Sequence, residues 1–69
     1  MLSFQLTNSN KAIQIDCDEQ GLRVLLDLLE KARAQGHIHL WTPSNGGHEL
    51  SEKTPFGEAA IGEVVISYV

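Results

Sequence analysis

Polar and apolar residues alternate at the start of the chain. Leu2, Phe4 and Leu6 take one phase and Ser3, Gln5 and Thr7 the other, which is the period of a half-buried strand. Asn8-Ser9-Asn10 supplies turn chemistry, because Asn tolerates positive φ. Ile13 and Ile15 then resume the alternation with Gln14 and Asp16 outward, so the two segments predict an antiparallel hairpin. Cys17 keeps the phase of Ile13 and Ile15 and is expected to be a buried, inert thiol.

After Asp18 the period lengthens to that of a helix. Leu22, Leu25, Leu26, Leu29 and Ala32 recur at helical spacing and predict the core-facing stripe, widened by Val24 and Leu28. Arg23, Asp27, Glu30, Lys31, Arg33 and Gln35 form the wet side. Asp18 is the expected N-cap, Glu19 suits the positive helix end, and Gly36 is placed to close the other end. Gly21 is expected to weaken the first turn slightly.

From Ile38 to Thr42 the strand period returns. Its phase puts Ile38 and Leu40 toward the helix and His37, His39 and Trp41 on the opposite face. Pro43 to about Ala60 reads as a long loop, broken by Pro43, Pro55 and Gly46-Gly47, with Glu49-Leu50-Ser51 as a brief edge. The β-branched run Ile61 to Val69 predicts a last strand with little exposed surface beside the third. The order β-β-α-β-β describes an α+β fold in two layers, one helix packed on a small, mainly antiparallel sheet, as a single domain spanning residues 1–69. The strand order stays open, with the last strand central and parallel to the first as one arrangement.

Sixty-nine residues leave room for one core, and an apolar fraction of 42% is that of a folded chain. The balance of 5 Lys+Arg against 9 Asp+Glu, a formal net charge of −4, has the wrong sign for a nucleic-acid partner. It has the right sign for steering toward a basic protein. Cys17 is the only cysteine, which excludes an internal disulfide and thiolate-rich zinc sites. The first residues lack the basic flank and apolar run of a signal peptide, and no apolar run reaches membrane-spanning length. A membrane partner is therefore not expected, and the cytoplasm is the expected compartment.

Chemistry is sparse. His37 and His39 lie at i,i+2 on one strand face, and His48 could fold back across the glycines, with Asp16, Glu49 or Glu52 supplying an oxygen. No tight paired spacing of the kind zinc sites use accompanies them, so neither a metal nor a cofactor is expected. Serine, histidine and acid occur without a nucleophile elbow, and Asp16 and Asp18 disfavour a Cys17 thiolate, so no catalytic residue is expected. Gly46-Gly47 lacks the Lys-Ser/Thr of a phosphate loop. Trp41, a residue type common among binding hot spots, is the most informative side chain. Acidic residues concentrate at Asp16, Asp18 and Glu19 and again at Glu49, Glu52, Glu58 and Glu63, and placed around an aromatic centre they suit a rim for a basic protein.

Three stretches in order carry a family resemblance. They are Gly21-Leu22 opening a leucine-rich helix, then His37-Ile38-His39-Leu40-Trp41-Thr42-Pro43, then Gly46-Gly47-His48-Glu49-Leu50-Ser51. This segment, about half the chain, resembles the Immunity protein 32 family. The resemblance implies a small α+β protein, encoded beside a polymorphic toxin, that binds and neutralises the toxin without catalysis. By it, His37, His39, Trp41, Gly46, Gly47, Glu49 and Leu50 are motif positions. The expected function is thus an immunity (antitoxin-type) protein whose partner is a cognate toxin, with a basic nuclease suiting the charge. The expected partner-binding set is His37, His39, Trp41, Gly46, Gly47, His48, Glu49 and Glu52. The alternatives are a metal-binding module using His37, His39 and His48, and a homodimer paired through the apolar last strand.

Overall fold

The structure is a computed structural model that describes residues 1–69. Strands β1 (Leu2–Thr7) and β2 (Ala12–Cys17) pair antiparallel from Leu2↔Cys17 to Thr7↔Ala12. Helix α1 spans Glu19–Gln35. Strands β3 (His37–Trp41) and β4 (Glu63–Ser67) pair antiparallel from Trp41↔Glu63 to His37↔Ser67. The order β-β-α-β-β and the α+β class are those the patterning predicts. The four strands form two two-stranded sheets, and the last strand pairs with the third, not alongside the first.

Loop backbone links the two ribbons. The Ser51 N–H donates to the Leu2 carbonyl and the Ile61 N–H to the Phe4 carbonyl, both at 2.8 Å, while the Leu50 N–H reaches the Trp41 carbonyl at 3.2 Å. The 43–60 segment is held by a 3-10 turn at Pro43–Asn45, a bridge between Lys53 and Ala59, and the buried Thr54. The Thr54 hydroxyl accepts from the Phe56 and Glu58 N–H groups.

Asp18 caps α1 by accepting from the Gly21 N–H at 2.8 Å, and it also pairs with the N-terminal ammonium. Its carboxyl is held below the ordinary value, first by the hydrogen bond to that ammonium and next by the Gly21 N–H. Gly21 is required rather than merely tolerated: a Cβ there would lie 1.7 Å from the Met1 carbonyl oxygen. Glycine's absent side chain lets strand and helix start touch. At the other end the Gly36 N–H returns to the Ala32 carbonyl at 2.8 Å.

The core consists of Leu2, Phe4, Ala32, Ile38, Leu40 and Leu50, flanked by Val24, Leu25, Leu28, Ile61, Val64 and Ile66. It is narrower than the patterning predicts. Leu22, Leu26 and Leu29 stand 40%, 54% and 43% exposed, so the core-facing side of α1 is instead buried at Gly21 and Ala32 and partly buried at Val24, Leu25 and Leu28. Ile13 and Ile15 are likewise exposed, and so is Cys17, which was expected to be buried. The physical reason is coverage: α1 packs chiefly on β3, and the hairpin runs out from beneath it beyond Leu2 and Phe4. On the hairpin's other face Gln14 and Asp16, expected outward, are half-buried and hydrogen-bonded to each other. The last strand ends at Ser67, leaving Tyr68 and Val69 exposed.

Candidate functional site

The period-two phase of β3 holds. Ile38 and Leu40 are 8% and 0% exposed on the core side, while His37 and His39 are exposed and Trp41 half-buried on the other. Side chains two apart on a strand are neighbours on one face, and here they form an aromatic row. The His39 and Trp41 rings stack with centroids 5.2 Å apart and planes at 15°. His37 meets His39 edge-on at 5.4 Å and 78°. No helix covers this face, because α1 occupies the other side of the ribbon.

Glu63 completes the row. It stands opposite Trp41 in register, and its Oε2 accepts from the Trp41 indole N–H at 2.8 Å. The same oxygen lies 3.0 Å from His39 Nδ1. One carboxylate thereby fixes both rings of the stack. The sequence offers Glu63 only as one acid of a surrounding rim; the antiparallel pairing of the last strand with the third is what brings the start of β4 to the Trp41 position.

The remaining motif residues lie behind the aromatic row and hold it. In β3 the even residues bond to β4, so the Trp41 backbone points to the ribbon's outer edge. There the Glu49 carboxylate accepts the Trp41 N–H at 2.9 Å while the Leu50 N–H donates to the Trp41 carbonyl. Glu49 and Leu50 thus serve Trp41 as one residue of a neighbouring strand would. The Glu49 side chain is only 17% exposed. Its carboxyl is held below the ordinary range mainly by the Trp41 N–H, opposed by burial and aided by His48.

Gly47 packs directly on the same residue. A Cβ at Gly47 would sit 2.5 Å from both the Trp41 Cβ and its carbonyl oxygen. Gly46 ends the 3-10 turn in the left-handed region, at φ 87°. Glu52 takes the start of that turn, accepting from the Ser44 N–H and, at 3.0 Å, from the Ser44 hydroxyl. Asn45 ties the turn to β4, donating to the Gly62 carbonyl at 3.2 Å.

His48 is set apart from the aromatic row. It is 94% exposed beside Glu49, where the loop faces Val24, Asp27, Leu28 and Lys31 of α1. The predicted set therefore divides. His37, His39 and Trp41 are brought together with Glu63 on an open face, whereas Gly46, Gly47, Glu49 and Glu52 shape the loop that supports Trp41. No group of three or more His, Cys, Asp or Glu side chains is arranged to hold a metal ion.

What this arrangement offers chemically is contact: flat rings with fixed orientation, a carboxylate at their edge, and half-exposed Val65 beside them. No helix of the chain is long and apolar enough to cross a membrane. No family model, curated protein or solved structure matches the chain.

Proposed function

We propose that this chain is a non-catalytic binding protein of the immunity type, which docks the open β3–β4 face onto a cognate toxin and blocks it. The observation that carries the proposal is the His39–Trp41 stack, locked by Glu63 on a ribbon face that no helix covers. Pre-oriented aromatic side chains lose little freedom on binding, and Trp is prominent among residues whose truncation costs a complex most. The acidic balance, −4 overall, favours a basic partner such as a nuclease. The ordered motifs from Gly21 to Ser51 that resemble the Immunity protein 32 family support the same class, in the cytoplasm of the producing cell.

The test is co-purification with the toxin encoded beside the gene, together with rescue of growth when both are expressed. Trp41→Ala is expected to weaken the complex by about 2 kcal/mol, roughly thirtyfold in Kd, with the helical circular dichroism unchanged. His39→Ala should act in the same direction. Failure of the unaltered chain to bind or rescue would reject the reading; full binding by Trp41→Ala would move the interface off this face.

A further inference from the structure

A second surface has no role in that reading. Leu6, Ile13 and Ile15 are 49%, 65% and 49% exposed, and Leu22, Leu26 and Leu29 of α1 are 40–54% exposed. The hairpin register puts Ile13 opposite Leu6 and Ile15 opposite Phe4, so these side chains share one face, the face that starts under the helix at Leu2 and Phe4. On α1 the three leucines recur at i, i+4 and i+7 and so form one flank. The other flank, with Gln20, Val24, Asp27 and Lys31, faces the 48–51 loop. The apolar ledge therefore lies on the side away from that loop.

The backbone beside this ledge is also unpartnered. The Leu2 and Phe4 carbonyls bond to Ser51 and Ile61, so these residues turn their polar groups away from β2. Their antiparallel partners Cys17 and Ile15, and Ile13 in the same phase, must then point N–H and C=O away from β1. No strand pairs with that edge of β2.

We infer that two copies of this chain associate through the outer edge of β2, forming a symmetric four-stranded sheet whose apolar ledges close on each other. A two-fold axis at Gln14 places Ile13 of each copy opposite Ile15 of the other, as hydrogen-bonding pairs. Lys11 then opposes Cys17, and Asp16 opposes Ala12, so no like charges face each other. Size is consistent with a second copy. Closing the ledges covers on the order of 300 Å² of the apolar surface that these six half-exposed Leu and Ile side chains leave in water on each copy. With apolar atoms supplying about 60% of a typical interface, that corresponds to about 500 Å² per copy and 1,000 Å² in all. This is the lower bound for a specific interface and suits a reversible dimer rather than an obligate one.

Sedimentation of the full chain from about 1 to 200 µM tests the inference. A monomer–dimer equilibrium with a Kd of roughly tens of micromolar is expected. Ile15→Lys should leave a folded monomer across the range, with Ile13→Lys as the second variant if Ile15→Lys does not fold. Val65→Lys, on the β4 ribbon, should dimerise like the unaltered chain. Amide exchange at Ile13 and Ile15 in the unaltered chain should slow as concentration rises. A monomer at 200 µM, a dimer indifferent to both isoleucine variants, or loss of the dimer with Val65→Lys would each overturn it. The last outcome would assign association to the final strand instead. Because no toxin is involved, the result is independent of the proposed function.

Discussion

Glu49 is where loop, strand and aromatic row are joined, and its replacement gives the sharpest test of how the site is held. Glu49→Ala removes the acceptor for the Trp41 N–H, a 2.9 Å bond from a half-buried residue to a side chain only 17% exposed. Hydrogen bonds to charged groups contribute about 1.5–3 kcal/mol, and water reaching the strand edge recovers part of that, so about 1.5 kcal/mol is expected. For a domain of this size the loss lowers Tm by roughly 6–12 °C. Glu49→Gln keeps a neutral acceptor of the same shape and should lose about half as much, since charge-assisted bonds are about twice as strong. Trp41 is the only tryptophan, so its fluorescence reports melting at the affected strand while circular dichroism follows α1. The two variants also separate with pH. The folded protein holds the Glu49 carboxyl below its ordinary value of about 4.5, so its ionised form contributes stability above that pH. The contribution fades as pH falls through the lowered folded value. Unaltered protein and Glu49→Gln should therefore differ most near neutrality and converge as pH falls below about 4.5 and through the lowered folded value. Asp18 loses its ionised form in acid too, but equally in both proteins. A Glu49→Ala protein that melts within a degree or two of the unaltered one would refute the supporting role. So would a gap between Glu49→Gln and the unaltered protein that persists unchanged at pH 3.

Further outcomes follow from close contacts and orphaned groups. Gly47→Ala must displace β3 backbone at Trp41, and the cost is expected at about 1–3 kcal/mol, read as a lowered Tm with an altered Trp41 emission maximum. Gly21→Ala meets the Met1 carbonyl still more closely and should separate helix start from β1, lowering the denaturant midpoint. Ser3 is fully buried with no hydrogen-bond partner for its hydroxyl, so Ser3→Ala should raise stability by about 1 kcal/mol; a lower Tm would show that the hydroxyl is satisfied in solution.

The legible part of the fold rests on local signals. The helix limits follow from Asp18 and Gly36, which satisfy free backbone groups at each end, and the two hairpin strands from strict alternation. The β3 phase followed from the same alternation and placed His37, His39 and Trp41 correctly. Illegible in one dimension was how far the helix reaches across the strands. A leucine at position 26 has the same helical periodicity whether it meets a sheet or water, and only the placement of α1 over β3 leaves it outside. The exposed Cys17 has the same cause. Within the site, Glu49 and Glu52 looked like surface acids because a carboxylate that accepts backbone N–H groups has no sequence mark distinguishing it from a solvated one. Glu63 is legible as one acid of a rim but not as the acceptor that fixes both rings, because Trp41 lies 22 residues away along the chain.

The structural role and the proposed recognition role fall on different residues of this chain, and the small core makes the division measurable. Only 10 of 69 residues are buried, so the stability reserve is small and most of it resides in a few side chains. Leu40, fully buried between helix and ribbon, should lose about 2–5 kcal/mol on change to alanine, which approaches the whole reserve. His39 and Glu63, on the open face and 38% and 48% exposed, make contacts that water can replace, so His39→Ala and Glu63→Gln should shift stability by no more than about 0.5 kcal/mol. If the face is for recognition, these two variants must lose far more in partner affinity than in folding, whereas Glu49→Ala must lose in folding first and in affinity only as Trp41 loosens. Measuring both quantities for the three variants therefore distinguishes an aromatic row that contacts a partner from one that merely finishes a ribbon. Equal losses in both quantities at His39 and Glu63 would assign that row to the fold.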